Sequence, residues 1–215
     1  MSGSNSRVND EIVIEQLAKR LFKEVSSLKR YKTVESKSPH GIYLYDRSSD
    51  EWVLASVDGE AFLPKSDGYY VIYFDNTKCS ACRKYDKYWF PYVRKAAKEL
   101  SDHYFVIVLC EWFARNCRSE SASKTFATFD VHASPTTYLL HVKGGEVAYK
   151  EKYEGYLTDT ELEKIVGEFK VRAEKAERGE KVELPKKEEV DVVELLKKLL
   201  EAISTEAEAR KSSRE

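Results

Sequence analysis

Cys79 and Cys82, separated by Ser80 and Ala81, are the residues of this chain best suited to chemistry. Two intervening residues set the sulfurs about one helical turn apart, close enough for a disulfide to form and break without large backbone movement. The pair follows an apolar run, Tyr69 to Phe74, and opens a long amphipathic stretch. A helix that starts at the first sulfur aims unpaired backbone N–H groups at it and favours thiolate over thiol. Cys79 is therefore expected to be a nucleophile near neutral pH. Lys78, with its positive charge, is expected to lower the Cys79 pKa further.

A second pair, Cys110 and Cys117, has six residues between its members. Three readings fit it. A structural disulfide or two inert thiols is one, and a second redox pair passing electrons to Cys79 and Cys82 is another. The third is a structural zinc site using Cys79, Cys82, Cys110 and Cys117 as four thiolates, although the helix expected after Cys82 and the wide second gap argue against it. The four histidines, His40, His103, His132 and His141, share no metal-ligand spacing, so no metal is expected. Only His132 lies near the Ser134-Pro135 segment.

Composition narrows the class. With 36 basic and 37 acidic side chains the charges nearly cancel, which excludes the basic excess of a nucleic-acid binder. No apolar run approaches the roughly 20 residues of a membrane span, and Met1 to Val8 lacks the apolar core of a secretion signal. A soluble, cytoplasmic protein is expected. Charged residues make up 34% of the chain, with Met1 the only methionine and Gln16 the only glutamine. That bias is the one associated with hyperthermophiles, in which intracellular disulfides do occur.

The elements that position the cysteines can be read from periodicity. Tyr69–Phe74 and Tyr104–Leu109 read as buried strands, with a helix from Ser80 to about Leu100 between them. A helix over 119–129 follows, then strands Thr136–Val142 and Glu146–Tyr153 joined at Lys143-Gly144-Gly145. Thr158-Asp159-Thr160-Glu161 is a capping box opening a helix whose apolar face is Leu162, Ile165, Val166 and Phe169. Upstream, residues 42–45 and 51–56 form a hairpin. Amphipathic helices are expected over 9–30 and from Val192 to Ile203, with 171–189 a charged linker. The division is thus 1–40 as N-terminal helix and lead-in, 41–170 as the central domain, and 171–215 as linker and C-terminal helix.

The order strand, helix, strand, helix, strand, strand, helix from 69 to 170 has Cys79-Ser80-Ala81-Cys82 after its first strand and Ser134-Pro135-Thr136 before its third. This resembles the thioredoxin family over roughly residues 50 to 170. The resemblance implies an α/β thioredoxin fold, a mixed central sheet flanked by helices, here with helical extensions at both ends. It implies a cis peptide bond before Pro135, and a substrate groove formed by Ser134, Pro135 and Gly155 beside the sulfurs. Thioredoxins carry Trp-Cys-Gly-Pro-Cys, where this chain has Lys78-Cys79-Ser80-Ala81-Cys82. Their buried proton-transfer aspartate falls at Tyr73, leaving Asp75 or Glu111 as the candidate carboxylate.

The expected activity is protein thiol–disulfide exchange, with Cys79 attacking and Cys82 resolving, and with no cofactor beyond the cysteines. The partners implied are proteins bearing disulfides or dithiols and a reductase or other redox partner, with neither nucleic acid nor membrane. Self-association through the terminal helices competes with their packing onto the domain. A non-catalytic binding module of the same fold is the alternative. Trp112 and Phe113, beside Cys110, would suit contact with unfolded chains.

Overall fold

The computed structural model describes residues 29–112 and 115–185, together with Leu200. The chain divides into two compact units, Met1–Pro185 and Lys186–Glu215, and all the elements below belong to the first. The helix expected over 9–30 lies outside the described residues except at its end, where Lys29–Tyr31 is a strand instead. The C-terminal helix lies outside them apart from Leu200.

Among the described residues, seven strands form one sheet. They are β1 (Lys29–Tyr31), β2 (Gly41–Asp46), β3 (Glu51–Ser56), β4 (Gly68–Asn76), β5 (His103–Cys110), β6 (Thr136–Lys143) and β7 (Glu146–Glu154), in the spatial order β1-β3-β2-β5-β4-β6-β7. Only β4 and β5 run parallel, and every other neighbour is antiparallel. A parallel pair needs a crossover, supplied here by helix α1 (Ser80–Glu99). Because β4 and β5 point the same way, Asn76 and Cys110 stand side by side at their C-terminal ends. That edge is where the cysteines gather.

The side-chain period of two explains why the central strands are apolar throughout. Tyr69, Val71 and Tyr73 pack on one face, while Tyr70, Ile72 and Phe74 pack on the other. Both faces are covered, so neither can be polar. Helix α1 covers the first face together with α3 (Asp159–Gly167) and α4 (Phe169–Glu177), and α2 (Glu120–Thr128) covers the second. In α3 the Thr158 hydroxyl accepts the Glu161 N–H and the Glu161 carboxylate accepts the Thr158 N–H, completing the capping box.

Helix α4 occupies ground that reads as linker in the sequence. Its charges conceal a buried side: Phe169 and Ala173 are fully buried. Arg172 points inward and holds Glu151 of β7 through two hydrogen bonds of 2.8 Å. From β4 to α3 the architecture is the thioredoxin fold, with the β2–β3 hairpin and β1 added beside β5. Among the described residues, no helix is long and apolar enough to cross a membrane.

Candidate active site

Cys79 is the N-cap of α1. Its backbone is extended, and its sulfur accepts the N–H of Cys82 at 3.1 Å. The Cys79 carbonyl accepts the Arg83 N–H, so both ends of the residue serve the first helical turn. Cys79 is partly exposed, whereas Cys82 is fully buried one turn behind it, and neither is bridged. Burial, the charge of Asp75 and the hydrogen bond to Cys79 push the Cys82 thiol well above its ordinary value.

The loop before β6 closes over this pair. The Ser134–Pro135 peptide bond is cis. The Ser134 carbonyl oxygen accepts from the Cys79 thiol at 3.5 Å, and the Ser134 hydroxyl lies 2.9 Å from the Cys82 sulfur. Gly155, at a φ of +82°, donates its N–H to the Pro135 carbonyl at 2.8 Å. Ser134, Pro135 and Gly155 are therefore contiguous with the sulfurs. The contact between the Ser134 hydroxyl and the Cys82 sulfur goes beyond the place in the groove that the resemblance implies for Ser134.

Behind Cys82 lies a charged cluster at the edge of the core. Asp75, one strand position pair beyond Tyr73, is buried and paired with Arg83. Among the described residues its Oδ2 is buried without a hydrogen-bond partner. Arg83 also reaches Asp86 at 3.2 Å. The Tyr73 hydroxyl donates toward Asp86 Oδ1 at 3.1 Å and the Cys82 carbonyl at 3.3 Å. Burial first, and then the charge of Asp75, push the Asp86 carboxyl up to about 7. Of the two carboxylates considered from sequence, Asp75 is the one that faces Cys82 electrostatically. Asp86 and Arg83 are missed there. Their signal is a charged residue four positions after Cys82, within a stripe otherwise made of Tyr85, Trp89, Phe90 and Val93.

Glu111 lies at the surface, where it takes the Lys78 ammonium at 2.5 Å. The field of Lys78 is thereby compensated close to Cys79. The neighbouring loop is tied to the same turn: Thr77 N–H donates to the Cys110 carbonyl, and Trp112 N–H donates to Asn76 Oδ1 at 2.6 Å. Cys110 and Cys117 form a disulfide, with Cα atoms 5.1 Å apart. Two of the four thiolates that a zinc site would need are thus bonded to each other, which rules out that four-thiolate site. Among the described residues, no three His, Cys, Asp or Glu side chains gather as metal ligands. His132 is exposed and paired with Asp130 at 2.5 Å. Trp112 is half exposed, and Phe113 lies outside the described residues.

No family model matches the chain, and no curated protein sequence matches it. Solved structures do. Thioredoxin from Aeropyrum pernix is 14% identical, covering 66% of this chain and 97% of its own, with a TM-score of 0.37. Chloroplastic thioredoxin z is 17% identical, over 49% of this chain and 80% of its own, with a TM-score of 0.34. Mitochondrial thioredoxin 3 from Saccharomyces cerevisiae is 26% identical, over 46% and 77%, with a TM-score of 0.32.

Proposed function

We propose that the protein is a thiol–disulfide oxidoreductase acting on protein substrates through Cys79 and Cys82. One observation carries this reading: a partly exposed sulfur at a helix N-cap accepts the backbone N–H of a buried cysteine one turn behind it. Backbone donors at a helix start hold negative charge on sulfur. The exposed sulfur can meet a substrate while the buried one waits.

In the reducing direction, the Cys79 thiolate attacks one sulfur of a substrate disulfide. That S–S bond breaks, and the departing substrate thiolate takes a proton from solvent. Cys82 then gives up its proton and attacks the Cys79 sulfur, which releases the second substrate thiolate for protonation. The substrate gains two electrons and two protons, and Cys79–Cys82 becomes the disulfide. A separate dithiol donor must reduce it again, and the reverse sequence oxidises a substrate dithiol. We assign the Cys82 proton to the carboxylates behind it, Asp75 and Asp86. Asp75 has an oxygen open to accept it, and Asp86 titrates near neutral pH, where exchange in either direction is efficient. Ser134, Pro135 and Gly155 would line the substrate chain. The Cys110–Cys117 bridge is read as structural, since Cys110 is packed into the α2-side core.

Replacing Cys79 by serine tests the reading. A catalyst loses disulfide reduction of a test protein by several orders of magnitude. If the variant instead keeps both turnover and partner binding, the proposal fails; partner binding without any turnover in the parent chain marks a binding module.

A further inference from the structure

Beside the Cys79 turn the surface opens into a concavity of about 700 Å³. Its charged and titratable lining comes from three segments: Lys78 from the active-site turn, Lys37 and His40 from the β1–β2 connection, and Glu111 and Arg118 from the bridged loop. The charges do not balance. Lys78 and Glu111 neutralise one another, while the Lys37 and Arg118 side chains have no ion-pair partner among the described residues. The His40 ring accepts the Arg118 backbone N–H on Nδ1 at 2.9 Å, which leaves Nε2 to carry the ring proton as a donor. Burial lowers the His40 pKa, consistent with that neutral ring. The concavity therefore offers two uncompensated cations and a ring N–H.

The bridge builds this wall. Glu111 directly follows Cys110 and Arg118 directly follows Cys117, so the disulfide sets the spacing of two of its charged residues. Lys78 directly precedes Cys79, so a group held here sits next to the disulfide under attack.

We infer that this concavity is a carboxylate-binding subsite, which favours substrates carrying an acidic group near the disulfide presented to Cys79. The inference rests on the oxidoreductase reading for its purpose but not for its detection. Both cations are exposed, so solvent screening limits the gain to roughly threefold to tenfold in kcat/KM. The preference fades as salt shortens the Debye length from about 10 Å at 0.1 M to about 3 Å at 1 M.

The test uses the full chain and two disulfide peptides that differ only in glutamate or glutamine beside the cystine. The expected result is a kcat/KM ratio favouring the glutamate peptide, abolished in the double variant Lys37→Ala, Arg118→Ala and in high salt. Turnover of the glutamine peptide is unchanged in that variant. A second readout needs no chemistry: serine-for-cysteine versions of both peptides are titrated while backbone amide NMR shifts are followed. Saturating shifts at Lys37 and Arg118 with the glutamate peptide only are expected. Glutathione disulfide, run in parallel, identifies whether a small anionic disulfide supplies the carboxylate as well as an acidic protein segment. Equal kcat/KM for both peptides with no selective shifts overturns the subsite and leaves the oxidoreductase reading intact. Selective shifts with no turnover of either peptide leave the subsite standing and remove that reading.

Discussion

In the reaction proposed above, Cys82 governs whether a mixed disulfide resolves or persists, because it is the buried sulfur and needs help to lose its proton. In the proposed reaction, Cys82→Ser stops the sequence after the first attack. Incubation with a substrate disulfide should then accumulate a covalent adduct at Cys79, visible by intact mass and released by excess dithiol; failure to trap any adduct would count against Cys79 as the attacking sulfur. Asp86 adds a dependence on pH. Its carboxyl titrates at about 7 in the folded chain against an ordinary 3.8. Between those values the folded state holds more protons than the unfolded one, so stability falls as pH rises through that window. Asp86→Asn should flatten that fall and be more stable than the parent above neutral pH, as read from denaturant melts at roughly pH 4, 6 and 8. Identical slopes for both proteins would remove the cause. At this scale the sequence displayed the position of Cys79 at a helix start well, because an apolar run precedes it and an amphipathic stretch follows it. It displayed Asp86 poorly, since a charge within an apolar stripe is legible only once its partners Tyr73, Asp75 and Arg83 are known.

Elements follow from local rules wherever those rules are strong. The capping box at Thr158 is complete in sequence and in structure. Thr158→Ala removes the hydroxyl that holds the Glu161 N–H and should cost about 1 kcal/mol, measured as a lower denaturant midpoint with an unchanged slope. Strands β4, β5 and β6 were equally legible, since each is an apolar run bounded by polar turns. Two elements were not. Strand β1 is three residues of Lys, Arg and Tyr, and it owes its state to pairing with β3 rather than to its own composition. Helix α4 reads as linker because its one inward charge, Arg172, looks like all its outward ones.

Across the whole molecule, the order of strands depends on contacts distant in sequence. The hairpin of β2 and β3 was readable, but its seat against β5, antiparallel to it, was not. The same holds for the join between α4 and the sheet. Glu151 accepts both Arg172 and the hydroxyls of Tyr149 and Tyr153. Cutting it to alanine strands a buried guanidinium, so Glu151→Ala should lose about 3–5 kcal/mol in a denaturant melt and loosen α4 in hydrogen exchange. A loss below about 1 kcal/mol would mean that the pair behaves as though exposed. The concavity beside Cys79 belongs to this scale too: its walls come from segments far apart in the chain, and no motif announces it.

An edge strand of the sheet among the described residues, β7, is nine residues long and carries Lys150-Glu151-Lys152 at its centre. An unsaturated rim of that length would ordinarily recruit foreign strands and seed fibrils. Lysines on such a rim discourage that pairing, so its length does not commit the molecule to polymerising through it.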